Sequence, residues 1–110
     1  MSVTQTNVVD IISVLDEDNQ VILTISDHLE WGSPEHLLAL QDKLNNYVSF
    51  IESGELLRSY NDAKERDVVI SLVCQFEPDQ AAINFLSRVD EFIAGLGLKF
   101  QYKVQAIHTQ

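Results

Sequence analysis

Between Ser33 and Gly54 the chain writes one helix from start to stop, and the rest of the fold must be arranged around it. Ser33 is placed to cap a free backbone N–H, Pro34 suits the first helical position, and Glu35 suits the positive end of the dipole. Leu37, Leu40, Leu44, Tyr47, Val48 and Ile51 then recur three and four residues apart, laying one apolar stripe along the helix. Gly54, after Ser53, reads as a left-handed stop. A helix with one apolar stripe needs a layer to cover.

The flanking segments supply that layer. Val8–Leu15 and Val21–Ser26 are β-branched runs on either side of the polar cluster Asp16-Glu17-Asp18-Asn19, which predicts an antiparallel hairpin. In the second run Val21, Leu23 and Ile25 face one way and Ile22, Thr24 and Ser26 the other. Strict alternation from Val68 to Phe76 predicts a third strand with Val68, Ile70, Leu72, Cys74 and Phe76 on one side. Pro78-Asp79 opens a second helix whose expected buried side is Ala82, Ile83, Leu86, Val89, Phe92, Ile93 and Leu96, with Gly95 and Gly97 closing it. Leu98, Phe100, Tyr102, Val104 and Ala106 then alternate with Lys99, Gln101, Lys103 and Gln105 as a half-buried last strand. Between them, Leu56, Leu57 and Tyr60 suit a short helical turn and SYNDAKERD an exposed loop. His108 falls in an expected frayed tail.

The order is ββαβαβ. Strand–helix–strand crossovers are right-handed, so successive neighbouring strands put both helices on one face of the sheet. The expectation is an α+β fold, a two-layer α/β sandwich formed by a single domain over residues 1–110, with a four-stranded mixed sheet and two helices on one face. The other face would show Lys99, Gln101, Lys103, Gln105, Ser71 and Gln75, but also Val69 and Val73. Those two valines make a homodimer through the open sheet face an expectation.

Charge excludes several partners. The 110 residues carry a formal −10, and every charged residue before Lys43 is acidic. Phosphate backbones and anionic lipid surfaces are repelled by such a chain, so neither nucleic acid nor membrane is an expected partner. A basic protein is the compatible opposite, although acidity also serves solubility alone. No run approaches the ~18 uncharged apolar residues of a membrane span, and MSVTQTNVVDII has no basic region before an apolar stretch, so a soluble cytoplasmic protein is expected. The single cysteine, Cys74, has no partner for an internal disulfide and reads as a small buried hydrophobe.

The stretch from Ile25 to Glu55, ISDHLEWGSPEHLLALQDKLNNYVSFIESGE, carries a likeness as well as a pattern. It resembles a family of short bacterial proteins, classed as a domain of unknown function, built around ISDHLxW…EHLxxLQxKLNxYxxFIESGE. The resemblance spans roughly Asp10 to Val73 and implies no activity. In that family a tyrosine followed by DAK and an arginine recurs further on, and Tyr60, Asp62, Ala63, Lys64 and Arg66 match it.

Two groups of residues are candidate ligand or partner contacts. The loop from Asp27 to His36 gathers Asp27, His28, Glu30, Trp31 and His36 where strand ends of α/β sheets meet ligands. Their structural reading is that Asp27 and Ser33 cap backbone, a histidine bonds a carbonyl, Trp31 plugs the seam between strand and helix, and Glu35 serves the dipole. The second group is Tyr60 and Arg66, typical interface anchors, or else a solvated loop. No GxSxG elbow or glycine-rich phosphate loop is present, so no catalytic residue and no cofactor is assigned. The expected function is a non-catalytic protein-binding module, antitoxin- or immunity-like or regulatory. The alternatives are a structural, oligomerising subunit, and a metal-assisted enzyme using His28 and His36 with Asp27 or Glu30.

Overall fold

The computed structural model describes residues 11–15, 17, 19–60 and 65–105. Val8–Asp10, Asp16 and Asp18 of the hairpin, the loop Asn61–Lys64, and Ala106 and His108 lie outside them. Seven elements follow in order: β1 (Ile11–Leu15), β2 (Gln20–Asp27), α1 (Pro34–Glu52), α2 (Glu55–Ser59), β3 (Asp67–Cys74), α3 (Gln80–Gly95) and β4 (Lys99–Val104). The four strands pair as neighbours in chain order, β1 antiparallel to β2, then β2, β3 and β4 all parallel.

The alternation in β2 translates directly into burial. Val21, Leu23 and Ile25 are inaccessible, and they join Ile70, Leu72 and Cys74 of β3 beneath Leu40, Leu44 and Tyr47 of α1 and Leu86 and Ile93 of α3. Both long helices therefore cover one sheet face, as the crossover rule requires. Burying each such aliphatic side chain contributes roughly 1.5–3 kcal/mol. The capping chemistry holds: the Ser33 hydroxyl accepts from the Glu35 N–H, and the Asp79 carboxylate accepts from the Ala82 N–H. Gly54 sits at φ +85 between α1 and α2, and the turn it makes swings Leu56 into the core.

Several details depart from the pattern. α2 is a separate helix beyond Gly54, so the layer has two long helices and one short one. On α3 only Ala82, Leu86 and Ile93 are buried; Ile83 and Leu96 are exposed, and Phe92 is 57% exposed. Its apolar stripe is wider than the strip that reaches the sheet. The stripe on α1 holds two polar members that apolar periodicity passes over, His36 and Lys43, both buried at helical spacing from Leu40. β4 is an exposed edge instead of a half-buried strand: Tyr102 and Val104 are exposed, and an open hollow of about 280 Å³ beside it is lined by Leu86 and Asp90 of α3 and Phe100 and Tyr102 of β4. On the opposite sheet face Val69 is only 2% exposed and Val73 is half-buried.

Candidate functional site

Asp27 is the last residue of β2, and the alternation that buries Val21, Leu23 and Ile25 carries its carboxylate into the core. His36 lies in the first turn of α1, four residues before Leu40, and so turns toward the same interior. The two meet, with Asp27 Oδ2 2.5 Å from His36 Nε2. The other oxygen, Oδ1, accepts the N–H of Leu29 at 3.1 Å. The other ring nitrogen, Nδ1, is 3.0 Å from the carbonyl of Glu30.

This geometry determines the protons. A carbonyl only accepts, so Nδ1 carries hydrogen and donates it to Glu30. One proton then lies between Nε2 and Oδ2, whichever atom holds it, and the couple is neutral in sum. A buried charge pair is tolerated when its hydrogen bonds are complete, and here each one is made. Trp31 closes the couple off: its ring stacks on His36 at 4.1 Å between centroids and 21° between planes, while Nε1 donates to the carbonyl of Phe76 at 2.9 Å. Four chain segments are tied together at one point.

The arrangement serves structure better than reaction. Both His36 nitrogens are engaged in hydrogen bonds and neither is open to a metal, and His28 is exposed. Glu30 contributes its carbonyl, its side chain standing in solvent. No group of three or more His, Cys, Asp or Glu able to hold a metal occurs among the described residues. Cys74 pairs in register with Asp27 and is buried beside it. Burial first, then the carboxylates of Asp27 and Glu77, push its thiol up to about 12, far from the thiolate a nucleophile needs. The Glu35 carboxyl is held below its usual range by the Ser33 hydroxyl and by its own backbone, which fits the first helical turn.

The second candidate pair is elsewhere. Tyr60 follows α2 and is exposed; Arg66 leads into β3, beside Asp67, whose N–H donates to the carbonyl of Asn19 in the hairpin turn. Parallel pairing sets Asp67 opposite Gln20 and Cys74 opposite Asp27, so Arg66, just before Asp67, lies at the far end of strands that run about 23 Å from there to Asp27 at a strand's rise per residue. The two sequence candidates do not form one site.

What periodicity alone conceals is on the helical layer. α1 and α3 leave an apolar groove between them of about 410 Å³, lined by Leu44, Val48, Phe85, Val89 and Phe92 with Gln41, Asn45 and Arg88 among them. One turn toward the helix starts, a second hollow of about 310 Å³ lies between Trp31, Leu37 and Ala81. Phe92 could have been singled out only by knowing that α3 meets the sheet along a narrower strip than its stripe.

No helix among the described residues is long and apolar enough to cross a membrane. A family described as a family of unknown function, DUF6572, matches residues 1–106. No curated protein matches the chain, nor does any solved structure.

Proposed function

For a chain that belongs to DUF6572, a family of unknown function, we propose a non-catalytic protein-binding module that acts in the cytoplasm by covering a basic partner, as antitoxins and immunity proteins do. The observation that carries this reading is where its polar groups lie. The one histidine–carboxylate couple among the described residues is sealed inside by Trp31 and used up in hydrogen bonds, while acids such as Asp42, Glu52 and Glu91 stand in solvent. An acidic exterior speeds the approach of a basic surface and makes the association sensitive to salt. The metal-assisted alternative is disfavoured by the occupied nitrogens of His36.

The test is capture from lysate on the tagged chain, followed by elution with rising salt. A basic protein retained at low ionic strength and released as salt rises is the expected result. Retention of nothing, or of material indifferent to salt, would count against the reading.

A further inference from the structure

An edge strand turns half of its backbone groups away from its sheet, and β4 is such an edge. The Gln105 N–H donates to the carbonyl of Cys74, so by alternation Lys99, Gln101 and Lys103 also turn their amides and carbonyls toward β3. Those of Phe100, Tyr102 and Val104 point outward. The side chains of these three lie on the helix side, in register with Ile70, Leu72 and Cys74. Tyr102 and Val104 are nonetheless exposed, because α3 leaves the open hollow beside the strand. Lys99, Gln101, Lys103 and Gln105 occupy the other face by the same alternation.

This edge matches itself. A two-fold axis through Tyr102, perpendicular to the sheet, sets a second β4 antiparallel to the first with Tyr102 opposite Tyr102. Phe100 then lies opposite Val104 in both directions, and the outward amides and carbonyls of these residues face one another as hydrogen-bonded pairs. An aromatic side chain opposite a β-branched one is a favourable cross-strand pair. On the other face Lys103 meets Gln101 and Lys99 meets Gln105. The neighbouring registers are worse. With the axis at Gln101, Lys99 faces Lys103; with the axis at Lys103, that lysine faces itself. Like charges directly opposite are destabilising, so the lysines select the Tyr102 register. β4 brings no acid to the axis, although the chain as a whole carries −10. Asp67 is already held by Lys99 at 3.2 Å, and Asp90, the one acid lining the hollow, is exposed.

We propose that the β4 edge is an interface between two copies of this chain, joined antiparallel about Tyr102 into one continuous sheet with all the helices on the same side. The inference goes beyond the protein-binding reading and does not depend on it. A two-fold interface of this kind is self-complementary by construction, which is what the Lys–Gln and Phe–Val pairings supply. The partner's Tyr102 and Val104 would cover the hollow that α3 leaves open.

Mass in solution, followed by light scattering over a wide range of concentration, tests this. The expected result is a rise from one chain to two. Tyr102→Lys puts like charges together at the axis and is expected to weaken the association about tenfold or more, whereas Leu57→Lys, on exposed α2, leaves it unchanged; circular dichroism establishes that both variants fold. Cross-linking reads the register. In Tyr102→Cys the paired Cα atoms lie about 5.5 Å apart, within reach of a disulfide, so mild oxidation should give a covalent dimer. Gln101→Cys and Lys103→Cys should each stay single and should cross-link only when mixed. Amides of Phe100, Tyr102 and Val104 should exchange fast in dilute solution and slow as concentration rises. A one-chain mass at every concentration overturns the proposal. So does a doubled mass indifferent to Tyr102→Lys, since the copies then meet on another surface, and so does cross-linking that ignores the register. Capture of a basic partner from lysate is a separate result, and either reading can fail without the other.

Discussion

Asp27 and His36 share a single proton in a site with no water-facing lone pair, and their substitutions should separate charge from packing. Asp27→Ala leaves a buried imidazole without its acceptor and is expected to cost about 3–5 kcal/mol. In Asp27→Asn the side-chain amide donates to a neutral Nε2 while Nδ1–H still serves Glu30, so the loss should be nearer 1 kcal/mol. Urea unfolding of the two variants measures the gap; equal losses would mean that the hydrogen bond matters less than the charge. Cys74 gives a second prediction with a definite sign. Its folded thiol is raised to about 12, so the neutral form is the one the fold favours. That contribution is whole below the ordinary thiol range near 8.5 and fades as pH climbs toward 12. Stability of the wild type should therefore fall more steeply above pH 9 than that of Cys74→Ala, and a thiol reagent should label Cys74 only after unfolding. The cysteine's burial was legible from alternation in β3. The couple was only half legible: the residue types were visible in the loop, but not that His36 occupies the helix's inward side, because a polar residue leaves no mark in an apolar count.

Among the elements, what was written in local chemistry came through and what depended on neighbours did not. Ser33, Asp79 and Gly54 mark helix boundaries because caps and left-handed turns are settled within a few residues. Gly54→Ala is expected to destabilise by about 1–2 kcal/mol from backbone strain alone, since the added methyl meets only the flexible Arg58 side chain at ordinary contact. Thermal unfolding checks this. The inward side of α3 and the cover over β4 were not legible. Each depends on how closely a helix stands to a sheet edge, which no single segment encodes. Amide exchange should show the difference, with β4 exchanging well before β2 and β3, whose side chains form the core. Protection of β4 equal to theirs would contradict its reading as a loosely covered edge.

At the scale of the whole molecule, the two-layer arrangement and the placement of both long helices on one face follow from the chain-order pairing of parallel strands and the handedness of crossovers. The acidic balance was plain in the sequence. The place of Lys99 and Lys103 was not, since their position on the sheet face of Val69 and Val73 follows only from the strand pairing. The net charge of −10 makes salt the simplest probe: association with a basic partner should slow and weaken together as ionic strength rises, and a stopped-flow series would show it.

The sheet also has a temporal meaning. Since every strand joins the one made just before it, a ribosome delivers the pieces in the sequence in which they dock. Nothing has to wait for a distant partner or thread past one already in place. The hairpin, the capped helix and the sealed imidazole can settle before the exposed final edge has been synthesised.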